Sequence, residues 1–273
     1  MSTLYVVATP IGNLGDLSPR AADIFSTVPT VVAEDTRVSR KLLNYIGANP
    51  QLLSHHAHSD ESSVAKVLDA MEKGDVALVT DAGSPAISDP GSSLVRAAVE
   101  RGHDVITIPG PSSVIAALSV SGFEADNFSF GGFVPRNGGE REAALEELRG
   151  RGETAVVFEA PHRLYDTLSD IDRIFGDRRL SISRELTKLY EETFRGTAIE
   201  ARTYFELPRG EFVIVIEGAP QAAIAITDEY IVESIRAERE RGLKGRALVA
   251  AVIELTGERK SRVYRLELES RDK

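Results

Sequence analysis

The chain has 273 residues, 42% of them apolar, and a net charge of −10, which allows one large domain or two of ordinary size and argues against a generic nucleic-acid coat. It contains no cysteine, so disulfides, thiolate nucleophiles and Cys-based metal sites are excluded. No apolar run approaches the length of a membrane helix, and the N-terminus lacks a signal-peptide pattern, so a soluble cytoplasmic protein is expected.

Leu4–Ala8 reads as the first strand and opens into the loop Thr9–Asp16. A helix over Ala21–Phe25 and a strand over Thr30–Ala33 follow, the latter leading into Glu34-Asp35-Thr36-Arg37. Val64, Val67, Leu68 and Met71 keep helical spacing between Ser62 and Lys73, with Gly74 as the expected stop. Strand Val76–Val79 then meets a long loop, Thr80–Gly91. A helix over Ser92–Glu100 ends at Gly102, and strand Val105–Ile108 precedes the loop Ile108–Ser113. A further helix runs from Ser112 to Ser121 and stops at Gly122. Near-continuous apolar strands alternating with helices predict a parallel sheet covered on both faces.

Beyond Gly122 the texture changes. Phe128–Val134 alternates loosely, and the polar, glycine-rich stretch Arg136–Arg141 reads as a mobile loop. Thr154–Phe158 is a strand, Pro161 opens a helix running to Phe175, and Gly176 ends it. Leu180–Glu185 and Phe212–Ile216 are further strands, so this half has more hairpin character. Pro220–Thr227 reads as a linker, followed by helices over Glu229–Glu240, Gly245–Leu255 and Ser261–Glu269 with a helix-turn-helix flavour. The expected domains are 1–112, 113–220 and 228–273. From Asp228 to Lys273 there are 11 Lys and Arg against 10 Asp and Glu, so only this segment escapes the acidic balance.

The three Gly- and Pro-rich loops would gather at the carboxyl edge of the parallel sheet, where such folds bind ligands. A boundary near the third loop would put it at an interdomain cleft. No Gly-Lys-Ser/Thr and no strand-linked GxGxxG is present, which disfavours ATP hydrolysis and nicotinamide chemistry. Ser112 and Ser113, at a helix start, suit a carboxylate. Asp81, at a strand end, suits sugar hydroxyls or an ammonium. S-adenosylmethionine carries all three groups.

In order, TPIGNLGD, AEDTR, TDAGSPAISDPG, IPGPSS, FEAPHRL, SRELTK and GEFVIVIEG resemble the tetrapyrrole methylase superfamily, within it the branch acting on small-subunit ribosomal RNA. The resemblance runs from Leu4 to about Gly218 and into the C-terminal module. It implies two α/β domains with the cofactor in the cleft, a small C-terminal helical module, and a homodimer. It also implies S-adenosylmethionine-dependent 2′-O-methylation of a cytidine ribose in the decoding region of 16S rRNA. The implied cofactor residues are Pro10, Asp81, Ala82, Gly83, Ser84, Ile87, Pro109, Gly110, Pro111, Ser112, Ser113 and Phe158, with Glu159 facing the same cleft. Two departures stand out: His56-Ala57-His58-Ser59-Asp60 replaces a pattern close to His-x-His-Asn-Glu, and Gly131 replaces an acid before Gly132-Phe133. Neither position is assigned a role. Other readings of these motifs are a tetrapyrrole C-methyltransferase and a non-catalytic, cofactor-binding RNA-assembly factor.

A sulfonium methyl needs no metal; it needs an aligned nucleophile and a base for the hydroxyl proton. The candidates at strand ends are Asp35 and Arg37, Glu159 with His162 and Arg163, and Glu185 with Lys188. Arg163 and Glu159 would also fit a pair across a helix start, and Arg184, Glu185 and Lys188 an interface network. His55, His56 and His58 read as a solvated loop, with His58 at the substrate entrance as an alternative. Lys244, Arg246, Arg259, Lys260, Arg262 and Arg265 fit either phosphate contact or a solvated helical face. The expected partner is 16S rRNA or the small ribosomal subunit, with no membrane and no metal.

Overall fold

Alternation within short apolar strands sets the first sheet. In the computed structural model, which describes residues 2–56, 61–219 and 227–270, β1 (Thr3–Val7), β2 (Thr30–Ala33), β3 (Gln51–Ser54), β4 (Val76–Leu78) and β5 (Asp104–Ile108) are ordered β3-β2-β4-β1-β5. Every pairing in this sheet is parallel. Val31, Ala33, Ala77 and Val79 meet α1 (Pro19–Thr27) and α2 (Thr36–Ile46) through Phe25, Leu42 and Leu43. The alternate residues Leu4, Val32, Val76 and Leu78 meet α3 (Glu61–Met71) and α4 (Ser92–Glu100) through Leu68, Met71 and Leu94. Burial on both faces explains the unbroken apolar strands.

The second sheet is mixed, ordered β6-β7-β10-β8-β9. Its strands are β6 (Phe128–Phe133), β7 (Thr154–Glu159), β8 (Leu180–Arg184), β9 (Glu192–Gly196) and β10 (Phe212–Ile216). Only β6 and β7 run parallel. One face packs on α6 (Gly138–Arg151), α7 (Leu164–Phe175) and α8 (Ala198–Tyr204). The other face takes α5 (Ser113–Ser121), whose Val114, Ala117 and Leu118 pack on Val156, Val213 and Val215. Since α5 leaves the last loop of the first sheet and lies on the second, it fastens the two layers together.

The α/β class and its two helix-covered sheets match the expectation; two local expectations do not. The stretch expected to be a mobile loop at Arg136–Arg141 is a helix start: Asn137 caps α6 by accepting the Gly139 N–H at 2.9 Å. Buried Arg141 then pairs with Asp170 at 2.7 Å. Gly74 does follow α3, but not in the left-handed conformation of a glycine stop. Its missing side chain makes room for the Pro29 ring, which a Cβ would meet at 3.1 Å.

Met1–Ala219 and Pro220–Lys273 are separate units. In the second, α9 (Asp228–Glu240), α10 (Gly245–Thr256) and α11 (Lys260–Glu269) close around Ile231, Ile235, Leu248, Val252, Val263 and Leu266. Most of the expected linker, and His58 with its neighbours 57–60, lie outside the described residues.

Candidate active site

The three loops meet at the carboxyl edge. Thr9 and Gly83 exchange backbone hydrogen bonds of 2.9 and 3.1 Å, and the Ala8 N–H donates to the Ile108 carbonyl at 3.1 Å. Gly83 sits at φ +83°, open only to a glycine at low cost. Gly110 serves by close approach instead: a Cβ there would lie 3.1 Å from the Ala8 Cβ and 3.2 Å from its carbonyl oxygen. The third loop can therefore lie flat against the first.

A cavity of about 250 Å³ opens between this edge and the second sheet. Its first wall is Thr80, Asp81, Ala82, Ile87, Asp89 and Ser113, with Glu34 and Ile11. Facing them are Phe133, Phe158, Glu185, Lys188 and Glu211. An adjoining hollow of about 310 Å³ includes Pro10 and Gly12 and shares Asp81, Ala82, Lys188 and Glu211. Of the expected cofactor residues, Asp81, Ala82, Ile87, Ser113 and Phe158 line the main cavity and Pro10 lines its neighbour. Gly83, Gly110 and Pro111 shape the loops from behind. Ser112 caps α5, accepting the Ile115 N–H at 3.5 Å. Ser84 and Pro109 belong to the same loops without lining either space.

The expected catalytic residues divide. Lys188 lines the cavity, its Nζ 2.9 Å from Glu185 Oε1. The loop carrying both is held in an unusual shape, with Glu185 at φ +52° and Thr187 at φ +66°. Asp35 lies beside the wall: its backbone N–H donates to Asp81 Oδ1 at 3.0 Å while its carboxylate caps α2 through the Arg37 N–H at 2.8 Å. That carboxylate also holds the guanidinium of Arg37, itself exposed, at 2.5 Å. The Arg37 hydrogen bond keeps Asp35 at a pKa of about 2, so Asp35 is a poor proton acceptor.

Glu159 corrects the sequence reading. It does not face the cleft with Phe158, because successive strand residues point to opposite faces. It is fully buried on the α7 side, 2.6 Å from Arg163, donated to by the Ala160 N–H at 2.7 Å and by the Thr167 hydroxyl. His162 does not line the cavity either.

Among the wall residues given no role in the sequence reading are Glu34, Asp89, Glu211 and Phe133. Glu34 accepts from the Thr80 hydroxyl at 2.8 Å. Asp89 is pushed above the usual carboxylate range by burial, despite a Thr80 hydrogen bond, with Glu34, Asp81 and Glu211 adding repulsion. Asp81 is raised for the same leading reason. Glu211 precedes β10, and because β10 runs antiparallel to β7 and β8 its start lies at the edge where they end. Only the topology reveals that. The wall is thus dominated by carboxylates, a setting for a cation and hostile to a pyrophosphate. Among the described residues no group of three or more His, Asp or Glu is arranged to hold a metal ion. His55 and His56 line a separate hollow with Glu34 and Asp89, where burial lowers the pKa of His55.

A model of the family Tetrapyrrole (Corrin/Porphyrin) Methylases matches residues 3–202. The chain is 40% identical to Ribosomal RNA small subunit methyltransferase I of Synechocystis sp., over 98% of each protein. It is 43% identical to the protein of the same name from Bacillus subtilis, over 80% of this chain and 76% of that one. Among solved structures, a diphthine synthase superposes with TM-score 0.64 at 13% identity, covering 80% of this chain and 90% of that one. A cobalt precorrin-4 methyltransferase gives 0.59 at 18% identity, covering 79% and 94%. Likeness at that identity speaks for the fold alone.

Proposed function

Because the chain belongs to the tetrapyrrole (corrin/porphyrin) methylase family, we propose that it methylates the ribose 2′-hydroxyl of a cytidine in the decoding region of small-subunit rRNA, with S-adenosylmethionine as donor. The observation that carries the acceptor is coverage. Likeness to the rRNA enzyme of Synechocystis sp. spans 98% of the chain, whereas the precorrin enzyme covers 79%. The three C-terminal helices, Asp228–Glu240, Gly245–Thr256 and Lys260–Glu269, lie beyond the 3–202 family match. This favours RNA over a porphyrinoid.

The donor set of the cavity fits S-adenosylmethionine. Asp81, Asp89 and Glu211 offer negative charge to a sulfonium and an ammonium. Ser113 and the N-terminal N–H groups of α5 suit a carboxylate. Ile87 and Phe158 supply apolar surface. When bound, the donor supplies an electrophilic methyl. The protein's work is then to hold the hydroxyl in line and to accept its proton. Lys188, ion-paired with Glu185, is a cation that fixes this wall. Asp89, whose carboxylate burial makes more basic than usual, takes the proton in our reading. The exposed Arg37 guanidinium, braced by Asp35, suits an RNA phosphate.

In the C-terminal unit, Arg262 is engaged by Asp228 at 2.7 Å and Glu258 at 2.8 Å, and Arg265 by Asp228 at 3.2 Å. Of the six basic residues named from the sequence, that leaves the exposed Lys244, Arg246, Arg259 and Lys260 as the proposed phosphate contacts. Cytoplasmic action on the ribosome and a homodimer complete the reading; apolar Ile106, 40% exposed on the open edge strand β5, is surface a second copy would cover. The test is transfer of labelled methyl to small ribosomal subunits and their free RNA, with mass mapping and a porphyrinoid in parallel. Label on one ribose is the expected result. Label on the porphyrinoid alone supports the C-methyltransferase, and tight RNA binding without transfer supports an assembly factor.

A further inference from the structure

The acceptor's base has to rest somewhere at the mouth of this cavity. A carboxylate-lined floor repels phosphate, so only the uncharged part of a nucleotide, ribose and base, can enter. That requires an unstacked nucleotide, and proteins hold such bases on aromatic faces.

One well-exposed ring, Phe133, lines this cavity. Along β6 the register jumps: Phe130 pairs with Val156 and Phe133 with Phe158, so three residues on one strand span two on the other. This is a β-bulge, a device that re-aims a side chain. Gly132 adopts φ +65°, a conformation natural to glycine. A Cβ on Gly131 would press Leu148 at 3.0 Å and Val157 at 3.1 Å, and one on Gly132 would meet Ser88 Oγ at 3.0 Å. The paired glycines are therefore needed both for the bend and for the space. Without the bulge, Phe133 would point away from Phe130. With it, both rings stand edge-on to Phe158, at centroid distances of 5.0 and 5.2 Å. Phe130 and Phe158 are half-buried, whereas Phe133 is 54% exposed and lines the cavity. It is the most exposed phenylalanine among the described residues.

We propose that Phe133, presented by the Gly131–Gly132 bulge, is the stacking platform for the nucleobase of the acceptor nucleotide. The proposal rests on the RNA reading above. The donor's adenine is the competing occupant; the outward position of Phe133 relative to Phe158 assigns the ring to the larger substrate.

The chain has no tryptophan, so Phe133→Trp places a single indole at the mouth. Its fluorescence is expected to be quenched by small ribosomal subunits and not by S-adenosylmethionine alone. Phe133→Ala and Phe133→Leu are both expected to raise KM for RNA by roughly 5- to 150-fold, the range for losing one base–aromatic stack. Donor affinity, read by calorimetry, stays at the wild-type value, and Phe133→Trp retains RNA affinity. Leucine keeps apolar packing against Phe158 without a flat face, so full rescue by Phe133→Leu would reduce the ring to a packing role and overturn the proposal. Quenching by donor alone, with donor affinity lost in Phe133→Ala, would assign the ring to adenine. Wild-type protein that methylates no RNA removes the functional reading along with this one. An active wild type with unchanged KM in Phe133→Ala removes only the role of Phe133.

Discussion

Two carboxylates show how placement decides chemistry at the scale of one residue. Asp35 is charged, hydrogen-bonded and held at a pKa of about 2 by Arg37, while Asp89 is raised by burial. A raised carboxylate means that the folded state binds its proton more tightly than the unfolded state does. Its contribution to stability is then present at low pH and lost as pH rises through the folded value. Charged Asp89 therefore weakens the fold at neutral pH, and Asp89→Asn is expected to raise Tm in thermal melts while lowering kcat by about 100-fold or more, the low end of the roughly 10²–10⁴-fold that a general base contributes. Wild-type activity should fall on acidification before ordinary carboxylates titrate, as Asp89 and Asp81 take up protons, with the Asp35–Arg37 clamp still intact. A rate profile of Asp89→Asn with an unaltered acid limb would place the base elsewhere. Glu159 is the converse case. It is sealed against Arg163, which is itself 13% exposed, and Glu159→Ala would leave a buried guanidinium unpaired. Breaking such a pair costs about 3–5 kcal/mol, so a denaturant titration should show a large loss of stability, with the donor affinity of the remaining folded protein preserved.

At the scale of elements, the parts legible in the sequence were those whose signal is local. Strands such as Val76–Leu78, buried on both faces, read as apolar runs, and the loops after them carry their own glycines and prolines. The edge strand β3, with exposed Gln51 and Ser54, and β9, with its polar Glu192-Thr193-Phe194-Arg195, have no such signal; their pairing partners define them. The start of α6 was hidden because Gly138-Gly139 has low helix propensity, although Asn137 supplies the cap. The cavity's Glu211 and the inward turn of Phe133 depend on strand direction and on a bulge, which one-dimensional spacing does not carry. For the loops themselves, the close approach at Gly110 makes a sharp test. Gly110→Ala forces a Cβ against Ala8 at 3.1–3.2 Å, which pushes the third loop off the first. Crowding of this kind costs about 1–3 kcal/mol. Calorimetry should show weakened donor binding in proportion, and unchanged donor affinity would mean that the third loop does not shape the donor site.

Across the whole molecule, charge is divided by task. The chain carries −10 overall, yet Asp228–Lys273 has 11 basic against 10 acidic residues, so the acid is concentrated in the unit that holds the cavity. An acidic cavity suits a cationic donor and opposes a polyanion. Affinity for RNA then has to come from local cations; among the described residues of the C-terminal unit our reading assigns Lys244, Arg246, Arg259 and Lys260 to that task, while Arg262 and Arg265 are engaged by Asp228 and Glu258. Each phosphate contact releases counterions and adds about 0.7–0.9 to the slope of log affinity against log salt. Replacing these four residues with glutamine is expected to weaken binding to small-subunit RNA and to flatten that slope by roughly 3 if all four meet phosphates. Arg262→Gln, by contrast, removes an internal ion pair and should lower the melting temperature more than it alters the slope. Donor binding by the fourfold variant should equal that of the wild type, because none of the four residues lines the cavity. A slope unchanged by the fourfold substitution would move RNA contact away from these helices and onto the other unit, with Arg37 as the first residue to test there.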